Sequence, residues 1–247
     1  MKNLLCALVM CLTTFSVIPC PFCVWKEEAR AKMPLFLPLV GGVIGGLWTL
    51  AAALLRLSPL PPLVCALLLC ALPLLLTGGI HMDGFLDTVD AVGSRRPLEE
   101  RRRILKDPHV GAFAVIAACF VSLAQFVFFA SAKETANLLA LLWIAVTSRT
   151  AAALAVTLLP PMPGSSYAKT RGGKAAPAVF LSVMLAAALA LGFVTTGRYG
   201  FAPLAVLCGY ALWLARGVRA LGGMSGDISG YALTFGELCG VAVYALI

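Results

Sequence analysis

Charged residues are scarce in this sequence: of its 247 residues only 12% are charged, whereas 61% are hydrophobic. A typical soluble domain has about 25% charged and about 45–50% apolar residues, so a water-soluble globular protein is excluded. Intrinsic disorder is excluded as well, because it requires a polar and highly charged chain. The 23 glycines follow no fixed period, which excludes a collagen-like chain. An integral membrane protein remains.

The long apolar runs predict where the chain crosses a membrane. A spanning helix needs about 20 apolar residues, and seven runs are suitable, at 34–56, 60–79, 110–131, 136–159, 177–197, 200–216 and 231–247. We therefore predict an all-α integral membrane protein with about seven transmembrane helices (six to eight), in which one polytopic domain covers residues 1–247 and the cytoplasmic loops carry the site. The first 24 residues are also apolar. We favour a retained segment over a cleaved signal peptide, since Lys2 alone forms the basic region before it.

The lysines and arginines between these runs predict the orientation. Alternate connections hold fourteen on one side and only three on the other, Arg56, Lys133 and Arg198. The fourteen are Lys26, Arg30, Lys32, Arg95, Arg96, Arg101, Arg102, Arg103, Lys106, Lys169, Arg171, Lys174, Arg216 and Arg219. Basic connections stay in the cytoplasm, so we expect these loops, and the site that they carry, on the cytoplasmic face of the membrane. The net charge of +8 is then a topology signal, and we expect no nucleic-acid partner.

Three aspartates follow one of the apolar runs. Asp83, Asp87 and Asp90 are spaced i, i+4 and i+7, and on an α-helix they fall within an arc of roughly 60°. Carboxylates on one stripe repel one another unless a cation lies between them, and hard oxygen ligands suit Mg²⁺ or Mn²⁺ better than zinc. We predict a metal site here. A water-facing helix start explains Asp83 but explains the other two poorly.

Four further polar residues are candidates for the same site. His81 precedes Asp83 by two residues and points away from the stripe if the segment is helical, yet it can act as a base or ligand where Gly78 and Gly79 leave the backbone irregular. Lys106 closes the same loop and is suited to phosphate, and Asp107 beside it is a fourth carboxylate or an orienting group. Arg149 lies within an apolar run. An arginine there is costly unless it is paired or faces a polar cavity. Its planar guanidinium suits a phosphate or a carboxylate as partner, and a structural pair with one of the aspartates is compatible with a functional role.

A second polar motif precedes the last apolar run. Gly222, Gly223 and Gly226 expose backbone donors of the kind that cradle phosphate. Asp227 adds a metal ligand or base, and Glu237 lies nearly three helical turns further on. A flexible cytoplasmic turn explains the glycines equally well, but it leaves Glu237 in the membrane without a role. The two acidic motifs fall on the same predicted face.

Taken together, these motifs resemble the adenosylcobinamide-GDP ribazoletransferase (cobalamin synthase) family. The aspartate-rich run is similar to the family's long acidic signature, and the other elements follow it in order over nearly the full chain. The matching segments are 14–19, 78–90, 106–113, 148–149 and 221–227, with Glu237. Two positions depart from the pattern. Val17 stands where the family usually has arginine, which puts a phosphate contact from that element in doubt, and Ala91 stands where glycine is common.

The resemblance implies a Mg²⁺-dependent inner-membrane enzyme of nucleotide-loop assembly, at the end of cobalamin biosynthesis. It would join adenosylcobinamide-GDP to α-ribazole or α-ribazole 5′-phosphate and release GMP. From charge and spacing we expect the metal ligands to be Asp83, Asp87, Asp90, Asp227 and Glu237. We expect the catalytic residues to be Asp83, Asp87, His81 and Lys106, and the substrate-binding residues to be Arg149, Asp107, Gly222, Gly223 and Gly226. The lipid bilayer is the expected surrounding, and a homo-oligomer stays open.

Two other functions remain open from the residues alone. A membrane prenyltransferase also uses aspartate-rich Mg²⁺-diphosphate sites, but two similar motifs would be expected, and the second motif here is rich in glycine. A secondary transporter also places acids and an arginine in the membrane, usually near its midplane and within inverted repeats. No such repeat is visible in this sequence.

Overall fold

A computed structural model describes residues 2–20, 25–165 and 175–247. Lys169, Arg171 and Lys174, which contribute to the predicted orientation, lie outside the described residues. The described part is helical and contains no β-strand, only an isolated bridge between Pro161 and Met224. Its α-helices are α1 (Lys2–Phe15), α2 (Glu27–Arg30), α3 (Leu37–Arg56), α4 (Pro62–Leu76), α5 (Ile80–Gly93), α6 (Leu98–Ile104), α7 (Ala112–Ser131), α8 (Leu139–Leu158), α9 (Ala175–Thr196), α10 (Phe201–Leu221) and α11 (Gly226–Leu246).

Each of the seven predicted apolar runs forms one helix, namely α3, α4 and α7–α11. Among the described residues, five stretches are long and apolar enough to cross a membrane, or six if α4 and α5 form one broken span. One of the five, Ala175–Leu221, contains both α9 and α10, which have 22 and 21 residues. Each of these alone matches a bilayer core of about 30 Å. The predicted class, an all-α multi-pass membrane protein, is confirmed.

The chain bends by 89° between α4 and α5, directly before the aspartate-rich segment. Gly78 and Gly79 both adopt left-handed backbone conformations at this bend, with φ of 61° and 77°. Side chains other than glycine rarely tolerate such angles, so the glycine pair allows the turn. Helix α5 therefore leaves the direction of α4 and carries its aspartates along a new axis.

Small residues allow the long helices to approach each other closely. A Cβ atom on Gly41 of α3 would lie 2.6 Å from the carbonyl oxygen of Ala145 in α8, and one on Gly45 would lie 2.8 Å from Leu142 Cα. Without a hydrophobic driving force between helices in lipid, such close backbone packing is a main source of association. Helix α8 is thereby fixed in the interior, where its Arg149 is buried.

The N-terminal segment packs onto the bundle. Ala7, Met10 and Cys11 of α1 are buried in a cluster with Met33 and Leu37. Beyond α1, the Val17 amide donates to the Leu76 carbonyl at 2.9 Å, next to the bend before α5. The end of α1 therefore lies beside the aspartate-rich segment.

Candidate active site

One cavity of about 360 Å³ brings together several of the charged residues predicted from the sequence. Asp83 and Asp227 supply negative charge to its wall, Lys106 and Arg149 supply positive charge, and His81 lies among them. These residues come from α5, α8, α11 and the connection between α6 and α7. The cavity has the size of an ordinary small-molecule site, and it combines carboxylates with cations as a phosphate-transfer site requires.

The two acidic motifs meet where α5 crosses α11. A Cβ atom on Gly84 would lie 2.7 Å from Asp227 Cα, and one on Gly230 would lie 2.7 Å from the His81 carbonyl oxygen. A glycine on each helix thus permits backbone contact at the crossing. The predicted shared face is confirmed, since Asp83 and Asp227 line the same cavity.

The aspartates of α5 and α11 form one electrostatic cluster. The charges of Asp83, Asp90 and Asp227 all act on Asp87, and Asp83 also acts on Asp227. Asp87 lies one turn beyond Asp83 but does not line the cavity. Within residues 2–20, 25–165 and 175–247, no three His, Cys, Asp or Glu side chains converge closely enough to hold a metal ion by themselves. The metal-ligand assignments stay predictions.

Asp90 contacts the start of α7. One of its carboxylate oxygens accepts the Gly111 amide at 2.6 Å and the other accepts the Ala114 amide at 2.9 Å. The first amides of a helix have no partner within the helix, and a negative charge there interacts favourably with the helix dipole. Asp90 therefore fixes the beginning of α7 with both oxygens. This contact has no signal in the local sequence, since the two partners are 21 and 24 positions away.

Arg149 pairs with a carboxylate, as its planar guanidinium suggested, and the partner is Glu237 rather than one of the aspartates. The guanidinium donates to the Glu237 carboxylate, and the Ser148 hydroxyl donates to the same oxygen at 2.8 Å. Arg149 is only 1% exposed, and its Nε atom is buried with no hydrogen-bond partner among the described residues. A pair of this kind satisfies the charge that an intramembrane arginine carries, and Arg149 is at the same time one of the residues that line the cavity.

His81 lies in the wall of the cavity, although helical periodicity alone placed it away from the aspartate stripe. Its ring stacks on Phe15 of α1 with centroids 6.1 Å apart and an interplanar angle of 11°. Its buried Nε2 atom has no hydrogen-bond partner in the part of the chain that the structure describes. An unpaired polar atom in a buried position is costly, and here it is available to a ligand.

Lys106 and Asp107 are adjacent but face different surroundings. Lys106 borders the cavity beside Gly164, whereas Asp107 is exposed and does not border it. The Asp107 carboxylate accepts the backbone amide of His109 at 2.9 Å and contacts its ring at 2.7 Å. These hydrogen bonds lower the pKa of the Asp107 carboxyl below its ordinary value. The structure therefore brings Lys106 to the cavity but not Asp107.

Only one of the three predicted phosphate-binding glycines borders the cavity, and it is Gly226 at the start of α11. Gly222 ends α10 in a left-handed conformation, and its amide donates to Val218. Gly223 allows close packing, because a Cβ atom there would lie 2.6 Å from Met162 Cα. Gly222 therefore serves to end α10, and Gly223 lets the connection pack against the segment after α8. Helix termination and close packing explain the two glycines better than an open phosphate loop.

Several residues of the cavity were not predicted. Ser225 and Ser229 border it from the start of α11, and Phe15 and Trp25 border it from the N-terminal segment. Ser225 was detectable, because a serine before a helix is a common N-cap, and its hydroxyl accepts the Ile228 amide at 3.3 Å. Phe15 and Trp25 could not be detected from the sequence, because their positions depend on how the N-terminal segment packs onto the bundle.

The whole chain is similar to one group of bacterial enzymes. A family model described as cobalamin-5-phosphate synthase matches residues 7–245. Adenosylcobinamide-GDP ribazoletransferase of Clostridium perfringens (strain SM101 / Type A) is 33% identical over 251 residues, covering 100% of both chains. The proteins of the same name from Clostridium botulinum (strain Alaska E43 / Type E3) and Desulfitobacterium hafniense (strain Y51) are 32% and 36% identical. The first covers 98% of this chain and 97% of its own, the second 90% and 88%.

No solved structure matches this chain. The family model and the relatives nevertheless cover the same segments whose motifs carried the resemblance, and the match extends well beyond those motifs. The chain belongs to the cobalamin-5-phosphate synthase family, as its sequence predicted, and is an enzyme of cobalamin synthesis.

Proposed function

We propose that this enzyme transfers the adenosylcobinamide phosphate group of adenosylcobinamide-GDP to the 3′-hydroxyl of α-ribazole or α-ribazole 5′-phosphate. The products would be adenosylcobalamin, or its 5′-phosphate, and GMP. Relatives that match over nearly their full length carry the name of this activity. The observation that carries the proposal is a cavity bordered by two carboxylates, three cations and a histidine whose Nε2 atom has no partner among the described residues.

The charges of the cavity suit a diphosphate. Lys106 and Arg149 border it from different elements, so together they can contact oxygens on both phosphates. Arg149 presents a planar guanidinium that is held in place by Glu237 and therefore needs little reordering on binding. The amide end of α11 at Gly226 adds a favourable field for an anion. A cavity of about 360 Å³ accommodates the diphosphate and adjoining groups, while the corrin ring lies outside.

The reaction requires one bond to form and one to break. The ribazole hydroxyl oxygen bonds to the phosphorus nearest the cobinamide, and the bond from that phosphorus to the bridging oxygen breaks. GMP leaves with the electron pair, and the hydroxyl proton passes to a carboxylate. Asp83 and Asp227 border the cavity and are the bases within reach. His81 is placed to orient a substrate oxygen through its unpaired Nε2 atom.

The carboxylates also fit a magnesium ion. Proteins usually bind Mg²⁺ through one or two carboxylates together with substrate phosphates and water, rather than through a complete protein cage. Asp83 and Asp227 supply two such ligands, and Asp87 adds charge beside them. When bound, the ion would neutralise the diphosphate and stabilise the leaving phosphate. Asp90 and Glu237 are engaged with α7 and Arg149, so we assign them to the support of the site.

We further propose that the cavity faces the cytoplasm across the bacterial inner membrane. Arg30 and Lys106 border the cavity, and both belong to the connections that hold fourteen basic residues against three. The positive-inside rule places such connections in the cytoplasm. Both water-soluble reaction partners, the ribazole and GMP, could then exchange directly with the cytoplasm.

The test is a reconstitution of the reaction. The purified full chain would be mixed with adenosylcobinamide-GDP, α-ribazole and Mg²⁺, and both products would be quantified. Cobalamin and GMP should form in equal amounts. Asp227→Asn should abolish most of the product, whereas Asp107→Asn, which makes the same change outside the cavity, should retain it. A folded protein that yields neither product with any divalent metal would contradict the proposal. Isoprenoid diphosphates in place of the corrinoid test the prenyltransferase alternative.

A further inference from the structure

A second depression lies apart from the cavity and is strongly basic. This groove of about 810 Å³ runs between the end of α5, helix α6 and the end of α10. No acidic residue of the described chain borders it, and it shares no residue with the cavity. Its lining includes Arg95, Arg96, Arg101, Arg216, Arg219 and Trp213. Five arginines around one groove repel one another unless an anion lies among them.

The groove has arginines that no acid of the described residues pairs with. On α6, Arg102 and Arg103 pair with Glu99 and Glu100, and Arg101 has no acid left to pair with. Its Nε atom is buried and has no hydrogen-bond partner among the described residues. Since a buried donor without a partner is costly, this nitrogen points to a ligand that the chain does not provide.

The groove also has the features of a membrane interface. The Arg216 guanidinium lies over the Trp213 ring at 5.8 Å, and tryptophan with arginine is typical of the boundary between bilayer and cytoplasm. Next to Trp213, Leu212 also borders the groove and is 67% exposed, as expected for a side chain in contact with acyl chains. The groove is thus basic along one side and apolar where α10 continues into the membrane.

We propose that this groove binds the phosphate headgroup of an anionic phospholipid such as phosphatidylglycerol. Arginine recognises phosphate through parallel hydrogen bonds, and basic pockets at the cytoplasmic ends of transmembrane helices bind anionic headgroups. A free phosphate could bind the same arginines, but it would make no contact with the apolar side of the groove at Leu212. A phospholipid would contact both sides of the groove, with its phosphate among the arginines and its acyl chains along α10.

The experiment measures lipid binding and needs no substrate. The full chain, purified in a neutral detergent, would be titrated with phosphatidylglycerol or phosphatidylcholine, and bound lipid would be counted by native mass spectrometry. Phosphatidylglycerol should bind preferentially. The variant Arg96→Gln with Arg219→Gln, which changes two exposed arginines without a salt bridge to any described residue, should bind it roughly thirtyfold more weakly.

The matched control is Arg198→Gln. Arg198 also lies beside an aromatic ring, that of Tyr199 at 5.3 Å, but in a connection on the other predicted face, so this variant should keep the parent's affinity. A second measurement follows the unfolding temperature, which anionic lipid should raise for the parent and the control only. Equal binding of both lipids, or an equal loss in the control, would overturn the proposal. So would displacement of the lipid by millimolar inorganic phosphate, which would indicate a free-phosphate site.

Discussion

The guanidinium of Arg149 on α8 donates to the carboxylate of Glu237 on α11, and the two side chains form a buried ion pair inside the helix bundle. Because α11 also carries Asp227, the pair ties the helix that holds a cavity carboxylate to the helix that holds a cavity cation. The pair thus sets the position of both.

Removal of one member of this pair should destabilise the protein strongly. Glu237→Gln would leave the Arg149 charge buried without its partner, and breaking a buried pair in this way costs about 3–5 kcal/mol. The double variant Arg149→Met with Glu237→Leu should recover most of that loss, since it leaves no charge behind. Thermal unfolding in detergent measures both. If the Glu237→Gln protein were as stable as the parent, the ion pair would not contribute to the stability of the fold.

Gly84→Ala should reduce activity without unfolding the protein. The new Cβ atom would lie 2.7 Å from Asp227 Cα, so α5 and α11 would have to separate at the point where the two acidic motifs meet. A displacement of about 1 Å in a catalytic site typically lowers the rate by about a hundredfold. Gly42→Ala and Gly46→Ala are suitable controls, because no atom lies within 4 Å of a Cβ at either position. Their turnover of adenosylcobinamide-GDP should equal that of the parent.

The sequence predicted the helices well because hydrophobicity decides them. All seven apolar runs became helices, and α11 starts earlier than predicted because Ser225, which caps it, precedes the apolar part. The relative placement of the aspartates on α5 was also predicted correctly, because the spacing of residues along a helix depends only on the local sequence.

What the sequence could not give were contacts between distant segments. The pairing of Arg149 with Glu237 joins positions 88 apart, and the stack of His81 on Phe15 depends on how α1 packs against the bundle. Glycines posed a similar problem. Gly222 and Gly223 resemble a phosphate loop in sequence, and only the approach of Met162 shows that close packing requires the second of them.

Asp90→Asn distinguishes support of α7 from metal binding. The amide side chain keeps one acceptor but places a donor near the Gly111 or Ala114 amide, so we expect a loss of about 1–2 kcal/mol in the free energy of unfolding. The Mg²⁺ concentration that gives half-maximal activity should stay as in the parent. An increase of tenfold or more in that concentration, at unchanged stability, would instead assign Asp90 to the metal.

Lys106→Met should weaken catalysis through loss of a phosphate contact. Lys106 borders the cavity and has no salt bridge to any residue that the structure describes, so its ammonium group is available to the substrate. A hydrogen bond to a charged group contributes about 1.5–3 kcal/mol, and we therefore expect kcat/KM for adenosylcobinamide-GDP to fall by roughly ten- to a hundredfold. The stability of the protein should hardly change, because the side chain is exposed. The control is Lys133→Met, which removes the same charge from the opposite predicted face, where the lysine donates to the Ile247 carbonyl at 2.8 Å. If both variants lost activity equally, the effect would come from overall charge, and Lys106 would have no contact with the diphosphate.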